Sequence, residues 1–407
     1  MFDNIIGHAE PLARLRAEIL GNRLPAAVLF HGPQYAGKTT VALELARAVT
    51  CEQGGAEWTC TCDSCRRQRM LVHPYTLLLG THYFLQEITV CAEALKAHPS
   101  KGTRFLFLRA VRKLLRRFDE VLWQGQEHRI SSVSHTVREV GEMAEDLDPR
   151  FPLPQGAELE KVTERLRSRS KKLASALPQD PVPIQAVRNV AFWAHMSGPR
   201  KVVIVDGADR LNGGTRNALL KTLEEPPPEV TFVLLATARS AVMPTILSRV
   251  RQYEFRPRST DEQCEVVRRV FREGELECGS LREYFLNNGF SGSEPITSLA
   301  EAFIEAVVSP HTADGADGVA HVQQTLQEMA EVHAFRYFFE ELTALLQRLL
   351  ANDATRASRP LVGMETIGRW RDLVAEAAFR VESLNMNPST VCESLYFSMR
   401  QVDAGVH

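Results

Sequence analysis

Ala26-Ala-Val-Leu-Phe-His-Gly-Pro-Gln-Tyr-Ala-Gly-Lys-Thr-Thr40 decides the fold of this 407-residue chain. An apolar run of strand length leads into Gly32-Pro-Gln-Tyr-Ala-Gly37-Lys38-Thr39, which satisfies G-x-x-x-x-G-K-[ST]. A helical pattern with Ala42, Leu45, Ala46 and Val49 in register follows it. Strand, glycine loop and helix in that order are the context the motif requires. The glycines let backbone N–H groups curl around phosphate oxygens at a helix N-terminus. The lysine neutralises β/γ charge and the first threonine hydroxyl is suited to Mg²⁺. Gly32, Gly37, Lys38, Thr39 and Thr40 are therefore the candidate ligands of ATP.

Outward from the loop, the order of elements predicts an α/β domain with a parallel sheet. Helical patterns at Ile184–Met196 and Thr215–Leu223 alternate with buried runs at Lys201–Val205 and Val230–Ala236. The run Lys201-Val-Val-Ile-Val-Asp206 ends in a carboxylate placed to support Mg²⁺, but the next residue is Gly207. A glutamate there would orient or deprotonate the attacking water. Its absence predicts nucleotide binding with weak or no hydrolysis by this chain alone. Asp209, past the strand end, reads as a cap for the helix that follows.

Cys51, Cys60, Cys62 and Cys65 give C-x8-C-x-C-x2-C. Four thiolates in one short loop can close tetrahedrally on Zn²⁺ and leave no open position for catalysis, which makes the expected metal structural. His73 is near enough to stand in as a ligand, although it also reads as a turn residue before Pro74.

Residues 83–180 differ in character. Apolar spacings centred on Phe105–Leu122, Val133–Leu147 and Leu159–Leu173 predict three amphipathic helices. Lys101–Arg117 carries seven basic residues and no acidic one, and Lys161–Lys172 six against Glu164 alone. This charge reads either as a phosphate-contacting surface or as the solvated faces of a helical bundle. Without an accompanying aromatic platform, the bundle is the favoured reading. Beyond Phe255 the chain is helical to Met399, with a polar linker expected at Ser309–Gly318.

The composition, with 44% hydrophobic and 24% charged residues and net charge -2, is that of a globular protein and excludes a polycation that coats nucleic acid. No apolar run approaches bilayer length and the first residues lack a secretory pattern, so a cytoplasmic protein with no membrane contact is expected.

Several strings together resemble the bacterial DNA polymerase III clamp-loader family of AAA+ ATPases. They are Phe2-Asp-Asn-Ile-Ile-Gly7, the phosphate loop, Asn217-Ala-Leu-Leu-Lys-Thr-Leu-Glu-Glu-Pro-Pro227, Thr245-Ile-Leu-Ser248-Arg249 and Asn385-Met-Asn-Pro388. The resemblance covers residues 2–82 and 184–255 well and 83–180 not at all. It implies a AAA+ domain over 1–256, with a zinc loop at 51–65 and a helical insertion at 83–180. A helical lid over 257–308 and a collar over 319–407 would follow. Asp206-Gly207 in place of the motor subunits' Asp-Glu favours the delta-prime type over gamma/tau. By resemblance Arg249 is an arginine finger acting in trans, with Val250 where the family has cysteine, and Thr237 senses the γ-phosphate. The implied partners are gamma/tau and delta, with the sliding clamp and primed DNA reached through the complex. Two alternatives stay open: an active gamma/tau-like motor, and an adaptor that binds DNA or a partner through the insertion.

Overall fold

The computed structural model describes residues 1–80, 84–178, 182–272, 280–289, 294–308, 314–328, 334–353, 363–382, 384 and 386–404. His82, Tyr83, Asp180, Asn385 and the first part of the expected linker, residues 309–313, lie outside them. Contacts divide the chain into two compact units, Met1–Arg282 and Glu283–His407.

The first unit opens with α1 (Ala9–Leu20), β1 (Ala27–His31), α2 (Lys38–Val49), α3 (Asp63–Arg69) and β2 (Thr76–Gly80). The insertion contributes α4 (Phe84–Ala97), α5 (Lys101–Leu115), α6 (Glu120–Trp123), α7 (Ser134–Asp146) and α8 (Gly156–Ser175). The alternation resumes with α9 (Ile184–His195), β3 (Lys201–Asp206), α10 (Gly213–Glu224), β4 (Val230–Ala236), α11 (Pro244–Leu247) and β5 (Arg251–Glu254). It continues through α12 (Thr260–Val266) and a π-helical turn, Val267–Phe271.

The five strands form one parallel sheet in the order β2-β3-β4-β1-β5. Successive residues of a strand point to opposite faces, so the uninterrupted apolar runs supply two cores. Val28, Phe30, Val202, Ile204, Val233 and Leu235 pack with α2, where Val41, Ala42, Leu45 and Ala46 are fully buried. Ala27, Leu29, Val203, Val205, Phe232 and Leu234 pack on the other face with α9 and α10. Each of the valine, leucine, isoleucine and phenylalanine side chains contributes about 1.5–3 kcal/mol through burial. β2 and β5 were not foreseen. The first has only three apolar residues in a row, Thr-Leu-Leu-Leu-Gly, too short a run to stand out, and the second is a short, charged edge strand that only its partner β1 orders.

The insertion departs from the expected three helices. α4 is an additional helix, and the pattern expected to run on to Leu122 breaks after Leu115 into a 3₁₀ turn at Arg116–Phe118 and the short α6. α5 starts at a capping box in which Ser100 and Thr103 satisfy each other's backbone N–H groups. Four of the basic residues of α5, Arg104, Arg109, Arg112 and Lys113, point inward, while Lys101 at its start is exposed. Arg104 donates to the carbonyls of Leu147 (2.6 Å), Asp148 (2.5 Å) and Phe151 (2.8 Å). Arg109 reaches Arg69 O (3.3 Å), and Arg112 reaches Met70 O (3.1 Å) and Glu145. Lys113 pairs with Glu87, and Arg116 caps His73 O (3.0 Å) and Thr76 O. Leu122 and Trp123 of α6 belong to the core beneath the sheet, and Asn189 of α9 donates to Gln124 O (2.9 Å).

The second unit contains α14 (Ile296–Val308), α15 (Asp314–Glu328), α16 (Ala334–Asp353), α17 (Met364–Glu382) and α18 (Pro388–Ala404), with most of α13 (Leu281–Asn288) before them. Phe303 packs edge-on against Phe338 and Tyr396, and the fully buried Trp370 donates to Met399 O (2.9 Å). From Asp314 the expected polar linker is already helix α15.

Candidate functional site

The phosphate loop spans the turn from β1 into α2. Gly32 has φ +149°, and a Cβ there would stand 1.9 Å from Phe255 O, so no other residue fits. Gly37 caps α2 with φ +87°, and a Cβ would meet the Arg258 guanidinium at 2.4 Å. Lys38 is buried and folds back on the loop, donating to Gly32 O (2.5 Å) and Pro33 O (2.6 Å). Burial pushes its ammonium down to about 8, against the opposing pull of Asp206 and Asp209. Thr39 is half-buried and Thr40 exposed on the first turn of α2. Two supports went unseen in the sequence. His8 Nε2 bonds Ala36 O at 2.6 Å, and Arg258 donates to Tyr35 O (2.5 Å) and Ile6 O (3.3 Å). Both come from outside the loop, and only the string around Gly7 hinted at either.

In a parallel sheet all C-terminal strand ends lie on one edge, which is how chain-distant residues meet. His31 is in register with Ala236, and Asp206 with Leu235, so Gly32, Asp206 and Thr237 share that edge. Gly32 N donates to Ala236 O (3.2 Å) and Ala208 N to Leu235 O (2.8 Å), tying the three loops together. Asp209 is not the cap expected of it. Asn212 caps α10 by accepting from Thr215 N at 2.8 Å. Asp209 Oδ2 instead accepts both the backbone N–H of Thr237 (2.8 Å) and its hydroxyl. Two donors held on one carboxylate oxygen outweigh a single cap bond. Gly207 sits at φ +77°, a backbone that disfavours the glutamate whose absence the sequence showed.

Arg249 stands apart. It precedes β5, whose first residue Arg251 pairs with Val28 near the start of β1. It therefore lies at the N-terminal edge of the strands, away from its own phosphate loop by roughly 15 Å of strand at about 3.3 Å per residue. The side chain is exposed and held by Glu224 (2.7 Å) and Thr245 O (2.8 Å).

The sulfur atoms of Cys51, Cys60, Cys62 and Cys65 all lie within 4.8 Å of one another, with Cys51 and Cys60 at 3.7 Å. A Zn–S bond of about 2.3 Å gives a tetrahedral S···S edge of about 3.8 Å, so the donor set fits zinc. Although burial opposes ionisation, the backbone N–H groups of Cys65 and Glu52 bring the Cys62 thiol down to about 7. Burial pushes Cys65 up, and the Arg47 guanidinium 3.2 Å from its sulfur works against that rise. Arg47 is also bound to Glu44 (2.7 and 2.9 Å), Ala56 O (2.7 Å) and Glu57 O (3.0 Å). His73 is spent elsewhere, against Ser64 Oγ (3.1 Å) and Tyr75 N (3.3 Å), with burial pressing it down to about 4.

A family described as "DNA polymerase III, delta subunit" matches residues 7–103 and 183–259. The delta' subunit of DNA polymerase III from Haemophilus influenzae is 50% identical over 60 residues, 15% of this chain and 18% of its own length. The delta' subunit from Pseudomonas aeruginosa is 35% identical over 77 residues, 18% of this chain and 24% of its own. The gamma/tau subunit from Mycobacterium tuberculosis is 41% identical over 70 residues, 17% of this chain and 12% of its own. The chain thus spans less than a quarter of the length of these relatives. A gamma subunit-related structure from Thermotoga maritima aligns over 60% of this chain and 90% of its own, with 18% identity and a TM-score of 0.29.

Proposed function

We propose that this chain is a subunit of the bacterial DNA polymerase III clamp-loader kind, delta-prime in type, that holds ATP and lends Arg249 to a neighbour's site, a reading supported by its similarity to delta' subunits. The observation that carries this reading is the separation of two edges of one sheet. The phosphate loop, Asp206 and Thr237 gather at the C-terminal ends of the strands, while Arg249 lies at the other edge, where its own nucleotide is out of reach.

Gly32, Gly37, Lys38, Thr39 and Thr40 would cradle the phosphates, and Asp206 would stand behind Mg²⁺. Bound ATP·Mg²⁺ supplies the triphosphate charge that the loop's N–H groups are shaped to meet. Gly207 offers no side chain to a water, so this chain hydrolyses ATP weakly or not at all. A guanidinium placed on the γ-phosphate from across a subunit boundary is worth about 10³–10⁵ in rate in related systems. Cys51, Cys60, Cys62 and Cys65 would hold Zn²⁺ as a staple of the loop after α2. We place 257–308 as the lid and 319–407 as the collar, working in the cytoplasm with gamma/tau, delta, the sliding clamp and primed DNA. The adaptor alternative keeps only the basic face of α8, because Arg104, Arg109, Arg112 and Lys113 of α5 and Arg116 after it are bound to carbonyls and carboxylates of the same unit.

The test is reconstitution with motor subunits. Arg249→Ala is expected to lower ATP turnover of the assembled loader by at least tenfold while assembly and nucleotide binding by the isolated chain persist. Robust turnover by the isolated chain, or an unaltered loader rate, would overturn the proposal.

A further inference from the structure

We infer that Asp209 withholds the hydroxyl of Thr237 from nucleotide, so that the site takes nucleoside di- and triphosphates with nearly equal affinity. The inference deepens the nucleotide-binding reading and rests on it. A threonine at the end of this strand discriminates a triphosphate only by donating its single hydroxyl proton to a γ-phosphate oxygen. Here that proton is given to Asp209 Oδ2, and the backbone N–H of the same residue, at 2.8 Å, goes to the same oxygen. The carboxylate is itself positioned from both sides. Ala208 N is fastened to Leu235 O at 2.8 Å, and Arg210 N turns back on Gly207 O at 2.9 Å. Asp209 lies close enough to the phosphate loop for its charge to act on Lys38. Its second oxygen, Oδ1, is buried without a hydrogen-bond partner among the described residues. A carboxylate in this place occupies the sensing donor.

One charge-assisted hydrogen bond to phosphate is worth about tenfold in affinity. The experiment is calorimetric titration of the full chain with Mg·ATP and with Mg·ADP, for the wild type, Asp209→Asn and Asp209→Ala. The asparagine keeps an oxygen for Thr237 but loses the charge, whereas alanine frees the hydroxyl. The wild type is expected to bind the two nucleotides within about threefold of each other. Asp209→Ala should raise the ATP:ADP preference about tenfold, and Asp209→Asn by less than about threefold. A wild-type preference for ATP above tenfold overturns the inference without recourse to any variant and leaves the nucleotide-binding reading intact. An equal gain in both variants also overturns it, by assigning the effect to charge. Binding of neither nucleotide removes the underlying reading, and the inference with it.

Discussion

Replacing Arg47 by methionine would test how the cysteine loop is held to the α/β core. Arg47 is 1% exposed and its guanidinium makes five hydrogen bonds, two of them to the carboxylate of Glu44, a residue 4% exposed. Removing one member of a buried ion pair leaves the other charge without compensation, at a cost of about 3–5 kcal/mol. The carbonyls of Ala56 and Glu57 lose their donor as well, at about 1 kcal/mol each. Because these groups act as one cluster the sum is not additive, and a total loss of about 4–6 kcal/mol is expected. A second loss falls on the metal. A tetrathiolate zinc centre is anionic, and Arg47 is the cation that touches it through Cys65, so zinc affinity should drop by about 10–100-fold. Urea unfolding followed by tryptophan fluorescence reads the first quantity, and competition with a chromophoric chelator reads the second. Glu44→Gln combined with Arg47→Met should recover about 2–3 kcal/mol of stability, because the orphaned charge is gone, but none of the zinc affinity. An Arg47→Met protein within 1 kcal/mol of the wild type that also keeps its zinc would refute the reasoning.

Two further outcomes follow from the nucleotide edge. Lys38 sits near 8 when the loop holds no phosphate, and a triphosphate would draw its pKa back up, so binding takes up a proton around pH 8. Affinity for ATP should hold below pH 8 and fall by up to about tenfold per unit above it; calorimetry in buffers of different ionisation enthalpy would show the uptake, and Lys38→Met should abolish it. Gly207→Glu is expected to destabilise the unit by about 1–3 kcal/mol without conferring motor-like turnover, because φ +77° strains any side chain there. A stable variant with brisk hydrolysis would show that the backbone does not resist the glutamate.

The phosphate loop, the strands β1, β3 and β4, and the four cysteines were legible because each is written locally. A glycine spacing, a buried apolar run and a cysteine spacing all carry their meaning within about fifteen residues. The roles of Asp209 and of the α5 arginines were not legible, because they depend on what the fold brings opposite them. Asp209 meets Thr237, 28 residues away, only when β3 and β4 pair. Arg104 meets the carbonyls of Leu147 and Asp148, more than 40 residues away, only when α5 and α7 pack. A run of basic residues without acidic neighbours looks the same in sequence whether it faces phosphate or buried backbone. β2 was missed for the same reason, since its identity as a strand comes from Val202 to Asp206 beside it.

The carbonyls of Arg69, Met70, His73 and Thr76 close the segment that leaves the cysteine loop, and all four are capped by arginines of the helical insertion. Excising residues 83–180 would therefore remove the donors of four carbonyls in the segment that leads from the cysteine loop into β2, the last of them on Thr76 at the start of that strand. The insertion is masonry in the wall at the foot of β2, at the end of that strand opposite the one paired with Asp206. A truncated chain that failed in any assay would report a collapsed wall, and only single exposed substitutions on α7 and α8 can ask what that module touches.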